Sequence, residues 1–123
     1  MIVLYDGDCG FCRRSVDWAL RRDRDRRLTA TPIQSPAGER LLADLTPEQR
    51  LRAVHVIDDE GRRSSGGAAV RDVLNVLPSS RALARVVSVS PRLTELGYRV
   101  VASNRGLFGR LASRRCARRS REP

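Results

Sequence analysis

The chain is organised around one stretch of sequence, Tyr5-Asp6-Gly7-Asp8-Cys9-Gly10-Phe11-Cys12. An apolar run, residues 1–5, precedes the cysteines, and an amphipathic run, residues 13–22, follows them. A short apolar run, a glycine-containing turn and then an apolar period of 3.6 predict a strand, a turn and a helix. Both cysteines are therefore expected on the first turn of a helix that begins just beyond the end of a strand.

A pair of cysteines at this position predicts redox chemistry. The unpaired backbone N–H groups and the positive end of the helix dipole favour a thiolate, which is the species that attacks disulfides. A second thiol three positions along is spaced to resolve the mixed disulfide that forms. The leading hypothesis is a dithiol in which Cys9 attacks and Cys12 resolves, with Gly10 and Phe11 between them contacting the substrate. Phe11 also shares a helical stripe with Trp18, and this stripe is interpreted as part of the core.

Two carboxylates beside the cysteines are further candidate catalytic residues. Asp8 is predicted to cap the helix by accepting from backbone N–H groups of its first turn. Asp6 ends the strand, where it serves either as a turn residue before Gly7 or as the acceptor of the Cys12 proton in the resolving step. Carboxylates this close oppose formation of a thiolate, so the pair is expected to be more reducing than a strongly oxidising dithiol.

Beyond the first helix, the apolar pattern predicts the rest of an α/β domain. Residues 22–27 read as a solvated loop, and the elements after it are a strand at residues 28–33, short helices at residues 37–43 and from residue 46, strands at residues 53–57 and 62–65, and helices at residues 68–76, 79–89 and 91–104. A strand, helix and strand in so short a span predict a right-handed parallel crossover. A βαβ half followed by a ββα half is the thioredoxin-like plan, with one four-stranded mixed sheet and extra C-terminal helices.

Composition bounds the domain organisation and the partners. The chain has 123 residues, enough for one domain, and a formal net charge of +10 in which all 24 basic residues are arginine. We expect residues 1–105 to form the thioredoxin-like domain with its helical extension, and residues 106–123 to form a basic, flexible tail. Such a tail can contact nucleic acid or an anionic membrane, but a solvated terminus is the default expectation. The sequence shows neither a signal peptide nor an apolar run of about 18 to 20 residues, which predicts a cytoplasmic protein.

A metal-binding alternative uses the same cysteines. Structural zinc takes four ligands, and the candidates are Cys9, Cys12, His55 in a strand and Cys116 in the tail. His55 is otherwise interpreted as a structural residue that faces away from its apolar neighbours in the strand. The related alternative is a thioredoxin-like module that binds zinc or a partner without redox turnover.

A second alternative belongs to a different class of enzyme. A strand that ends in Asp6-Gly7-Asp8 resembles the nucleophile motif of haloacid-dehalogenase-type phosphatases, and Asp58-Asp59 imitates their later acidic pair. Asp6 would then be the nucleophile and Asp8 the acid/base, with Mg²⁺ bound by the carboxylates. The lysine that binds phosphate in those enzymes is missing, because the chain contains no lysine.

The segment YDGDCGFC, followed by RRSVDW, resembles the DCC family of thiol-disulfide oxidoreductases, named for its Asp-Cys-x-x-Cys. Further similarities are residues 31–35 (TPIQS), residues 54–61 at the hairpin and residues 104–110. The resemblance implies a thioredoxin-like fold and a redox-active Cys9–Cys12 pair. We therefore expect an enzyme that needs neither metal nor organic cofactor. Its expected partners are a protein or small-molecule disulfide or thiol and an external reductant, either glutathione or a thioredoxin system.

One departure from thioredoxins concerns substrate docking. Thioredoxins place a cis-proline before the third strand, where it helps to hold the substrate backbone. In this chain Arg52 and Ala53 occupy the comparable place. A different docking geometry is expected.

Overall fold

The computed structural model describes residues 1–80, 82, 85, 89 and 91–104. The elements in chain order are β1 (Ile2–Tyr5), α1 (Gly10–Arg22), β2 (Thr29–Pro32), α2 (Pro36–Leu41), α3 (Pro47–Leu51), β3 (His55–Ile57), β4 (Arg63–Ser65), α4 (Gly67–Val76), a 3₁₀ turn (Pro78–Ser80) and α5 (Pro91–Ser103). The predicted helix at residues 79–89 falls largely outside the described residues, and so does the predicted tail at residues 106–123. Within the described part of the chain, none of the helices combines the length and the apolarity needed to cross a membrane.

The four strands form one mixed sheet in the order β2-β1-β3-β4. β1 runs parallel to β2, whereas β3 runs antiparallel to both β1 and β4. The predicted parallel pairing of β1 with β2 and the predicted hairpin are therefore confirmed, and the chain has the thioredoxin-like βαβ–ββα fold. β1 is an inner strand of the sheet. The turn that follows Tyr5 therefore leaves the C-terminal end of a strand with neighbours on both sides, and not the end of an edge strand.

Helices cover both faces of the sheet, and alternate residues of β1 point into two separate cores. Val3 packs with Val16 and Ala19 of α1 and with residues of α4. Leu4, on the opposite face, packs with Ile33 and Leu42 beneath α2 and α3. Side chains along a strand alternate between faces, so a strand covered on both sides is apolar throughout. This accounts for the uninterrupted apolar run that begins the sequence.

The loop between α1 and β2 is anchored by a buried carboxylate. Asp23 accepts hydrogen bonds from the backbone N–H groups of Arg27 at 3.0 Å and Leu28 at 2.8 Å. Two charge-assisted bonds to backbone compensate for burying the carboxylate and set where β2 begins beside β1. The prediction of a fully solvated loop at residues 22–27 is therefore wrong at Asp23.

His55 is a structural residue, as interpreted from its place in the strand. Its side chain is 3% exposed and lies on the α2/α3 face of the sheet. Its Nδ1 lies 2.6 Å from Ser65 Oγ, and its Nε2 lies 3.0 Å from the carbonyl oxygen of Arg50. Burial lowers the pKa of His55, which favours the neutral ring. Both ring nitrogens are thus engaged in linking α3 to the hairpin.

Candidate dithiol site

Cys9 is the N-cap of α1 and uses its own sulfur as the capping group. Its backbone is extended, with φ −88° and ψ 113°, and its Sγ accepts a hydrogen bond from the Cys12 backbone N–H at 3.4 Å. An N–H donor and the positive end of a helix both stabilise negative charge on a sulfur. The sequence therefore placed the cysteines correctly at the start of α1, with Cys12 at its third residue.

Asp8 is not the helix cap, which corrects the prediction made from sequence. It lies one residue too early, in the turn that joins β1 to α1, so its carboxylate does not reach the first-turn N–H groups. The turn is closed by the backbone instead, because Cys9 N–H donates to the Asp6 carbonyl oxygen at 3.3 Å. Asp8 is exposed.

A glutamine that was not predicted as a site residue links the two carboxylates. Gln34 Nε2 donates to Asp6 Oδ1 at 2.7 Å and to Asp8 Oδ2 at 3.4 Å. Its Oε1 accepts from the Gly7 backbone N–H at 2.9 Å, and Asp8 N–H donates to Asp6 Oδ1 at 3.0 Å. The side chain of Gln34 thus contacts three consecutive residues of the turn before Cys9. The sequence signal that could have identified Gln34 was its position in TPIQS, one of the segments on which the family resemblance rests.

The turn at Gly7 lies directly against the end of β2, so a larger residue there would crowd its neighbours. A Cβ at Gly7 would sit 3.2 Å from both Gln34 Oε1 and Pro32 Cβ, which is tighter than ordinary contact. The chain just beyond β2 continues to follow β1, since Ile33 N–H donates to the Tyr5 carbonyl oxygen at 2.8 Å. Residues 32–34 therefore form a fixed wall against which the turn is held.

A cleft adjoins the dithiol on the α1/α4 face of the sheet. It has a volume of about 440 Å³, and its walls come from α1, α4, α5 and the strands between them. Asp6, Phe11 and Cys12 line its end at the site. Trp18 also lines it and is 39% exposed, with the guanidinium of Arg22 stacked 4.2 Å from its ring centroid. The interpretation of Trp18 as a core residue is therefore wrong, because it forms a wall of the cleft.

The zinc ligand set proposed from sequence is not assembled among the described residues. Cys9 and Cys12 lie at the beginning of α1, whereas His55 lies on the opposite face of the sheet with both ring nitrogens engaged. Cys116 lies outside the described residues. The residues that the structure describes contain no group of three or more His, Cys, Asp or Glu side chains placed to hold a metal ion.

The acidic pairs of the phosphatase alternative lie at opposite ends of the sheet. β3 is antiparallel to β1, with Ile57 opposite Ile2, so the residues that follow β3 lie beside the N-terminus. Asp59 pairs with the Met1 amino group at 2.8 Å, and Asp58 pairs with Arg62 at 2.8 Å. Neither reaches Asp6, which follows the other end of β1. The antiparallel register therefore removes the acidic pair that this alternative requires.

A β2-β1-β3-β4 sheet with Cys-x-x-Cys at the start of the helix after β1 defines a thioredoxin-like dithiol protein. The family model described as DCC1-like thiol-disulfide oxidoreductase matches residues 3–111, and the chain belongs to this family. The chain is also similar to the uncharacterized protein YuxK of Bacillus subtilis (strain 168), with 26% identity over 105 residues that cover 85% of this chain and 77% of YuxK. No solved structure matches the chain.

Proposed function

We propose that this protein is a thiol-disulfide oxidoreductase in which Cys9 attacks the substrate and Cys12 resolves the intermediate. One observation carries the proposal: the Cys9 sulfur occupies the N-cap of α1 and accepts a hydrogen bond from the Cys12 backbone. The backbone N–H of Cys12, which the Cys9 sulfur caps, is in place to stabilise a thiolate at Cys9. Membership of the DCC1-like family supports this chemistry.

In the proposed cycle the dithiol supplies two electrons to a disulfide, R–S–S–R. The Cys9 thiolate attacks one sulfur, forms a mixed disulfide and releases one R–S⁻. Cys12 then loses its proton, and its sulfur attacks Cys9 Sγ, which releases the second R–S⁻ and leaves a Cys9–Cys12 disulfide. Two reducing equivalents from an external thiol or dithiol, such as glutathione or a thioredoxin system, return the pair to its reduced form. A cytoplasmic location, as expected from the sequence, suits a pair that must be kept reduced.

We assign the two carboxylates and Gln34 to the transfer of the Cys12 proton in the resolving step. Asp6 and Cys12 line the same end of the cleft, so Asp6 is the proposed acceptor of the Cys12 proton. Gln34 holds Asp6 through a 2.7 Å hydrogen bond and is proposed as a positioning residue. Asp8 receives the weaker second bond at 3.4 Å and helps to keep the glutamine in place. Gly10 and Phe11 remain the proposed contacts to substrate between the two cysteines.

Intact-protein mass spectrometry across a series of thiol–disulfide buffers tests the proposed function. Free thiols are alkylated at each potential, and the Cys116→Ser variant keeps the third thiol from contributing. We expect two alkylation sites, mapped to Cys9 and Cys12, to be lost together and reversibly with one midpoint. Cysteines that stay alkylatable across the whole series would contradict the proposal.

Substituting Gln34 by alanine is expected to slow the resolving step about tenfold and to displace its pH profile, because Asp6 loses the donor that positions it. The measurement is the release of the second thiol in a single turnover, recorded as a function of pH. Gln49→Ala is the matched control, since Gln49 also holds a backbone N–H through its side chain, at Thr46 in the capping box of α3. Identical rates and pH profiles for the two variants would remove Gln34 from the mechanism.

A further inference from the structure

The cleft beside the dithiol is lined largely by apolar side chains and ends at Cys12, whose backbone N–H donates to the Cys9 sulfur. Trp18 from α1, Val73 from α4 and Val101 from α5 form its walls, and Phe11 and Cys12 close one end. Its volume of about 440 Å³ falls in the range of about 300–1,000 Å³ that is typical of sites for small molecules. A molecule bound there would place its apolar body along α1 and its reactive end at the cysteines.

The charges of the lining favour an uncharged ligand. Of the described residues that line the cleft, the ionisable ones are Tyr5, Asp6, Cys12 and Tyr98, and none is an arginine, although the chain has 24. An anionic ligand would lie beside the Asp6 carboxylate and would exchange its hydration for apolar contacts. Glutathione disulfide carries several carboxylates and suits this lining poorly.

The backbone of Val54, at the edge of the cleft, is not available to pair with an extended polypeptide. Val54 lies just after Ala53, the position at which a thioredoxin has its cis-proline. Its N–H donates to the Tyr98 hydroxyl at 2.9 Å, and its carbonyl oxygen accepts from the Gly66 N–H at 3.0 Å. Recognition of an extended peptide by strand addition requires main-chain donors and acceptors that are available to the peptide. At Val54 both groups already have partners within the protein.

We propose that this cleft binds the hydrophobic body of a low-molecular-mass, uncharged disulfide and delivers its sulfur–sulfur bond to Cys9. The inference rests on the proposed function and names the substrate class of the same site. The bonds formed and broken, and the external thiol that restores the pair, are those of the cycle given above. Apolar contact with the walls supplies the binding energy, while the dithiol supplies the electrons.

Two chromogenic aromatic disulfides, one uncharged and one dianionic, test this proposal. The rates at which the reduced protein reacts with neutral 4,4′-dithiodipyridine and with dianionic 5,5′-dithiobis(2-nitrobenzoate) are measured by stopped flow. Each rate is divided by the rate at which the same disulfide reacts with 2-mercaptoethanol, which corrects for the intrinsic reactivity of the disulfide. High salt screens the net charge of +10, which would otherwise attract the dianion. We expect the normalised rate of the neutral disulfide to be larger by about tenfold.

Two variants test whether the preference for the neutral disulfide depends on the cleft. Trp18→Glu brings a carboxylate to its wall and is expected to slow the neutral disulfide about fivefold. Leu41→Glu is the matched control, because Leu41 is 37% exposed against 39% for Trp18 but lies on α2, away from the cleft. We expect Leu41→Glu to react at the rate of the unchanged protein.

The outcomes separate this inference from the proposed function. Equal normalised rates for the two probes, or a neutral rate that Trp18→Glu leaves unchanged, would overturn the cleft as the substrate site while the dithiol chemistry stands. A faster normalised reaction with glutathione disulfide or with the disulfides of insulin would also overturn it. Failure of every disulfide to oxidise the Cys9–Cys12 pair would overturn the proposed function and this inference together.

Discussion

Replacing Cys9 by serine is expected to lower the rate of disulfide reduction by about three orders of magnitude or more, because a serine hydroxyl supplies no thiolate at neutral pH. Replacing Cys12 by serine is expected to leave the attack intact and to stop the cycle at the mixed disulfide. Intact-mass measurement after addition of a small disulfide distinguishes the two variants. With Cys116→Ser also present in both variants, so that the third thiol cannot react, only Cys12→Ser should gain the mass of one R–S group.

Cys116→Ser is the control for both cysteine variants, since it removes a thiol of the same chain that has no assigned role. Its turnover is expected to equal that of the unchanged protein. A stable adduct on Cys9→Ser, together with none on Cys12→Ser, would reverse the roles assigned to the two sulfurs. If neither variant forms an adduct, neither Cys9 nor Cys12 attacks disulfides, and the proposed function is contradicted.

Substitution of Gly38 by alanine is expected to be the most destabilising single-methyl change near the site, with a loss of about 3 kcal/mol in the free energy of unfolding. A Cβ there would clash with the Pro32 carbonyl oxygen and would lie 2.8 Å from that of Ile33. Both atoms belong to the backbone, so the contact cannot be relieved by a change of rotamer. Urea unfolding measures the loss.

The same substitution should also lower activity, because the segment displaced by Gly38→Ala carries Gln34. Gly97→Ala is the matched control for the free energy of unfolding alone, because Gly97 lines the cleft: it lies in α5, and a Cβ there meets nothing within 4 Å. Alanine forms helix better than glycine, so this control is expected to gain up to about 1 kcal/mol. Equal unfolding free energies for the two variants would show that α2 does not approach β2 as closely as described.

Local sequence pattern was sufficient to predict the fold and the placement of the dithiol. The apolar run before Tyr5, the glycine in the turn and the helical period after Cys12 are short-range signals that do not depend on distant residues. The helix start at Pro47 was predictable for the same reason, because proline at a first helical position fits without losing a hydrogen bond. The helix predicted from residue 37 begins one residue earlier, at Pro36. With the order of strands, these signals define the βαβ–ββα plan.

Prediction failed where the decisive partner is distant in sequence. Asp8 is a residue type typical of a helix cap, but its carboxylate accepts from Gln34, 26 positions away, and the sulfur of Cys9 caps the helix instead. Asp23 sits in a run of charges, and only the approach of β2 buries it. Trp18 looks like a core residue, and only the arrangement of α1, α4 and α5 makes it a wall of the cleft.

The chain by itself thus determined the strand–turn–helix, the two cysteines at the start of that helix and the family to which they belong. The tertiary structure alone decided which groups surround them. Gln34 reaches the turn from 26 to 28 positions away, because the parallel pairing of β1 with β2 brings the ends of the two strands together. Spacing along a helix is a local property, whereas contact between the ends of two strands depends on how the whole sheet is assembled.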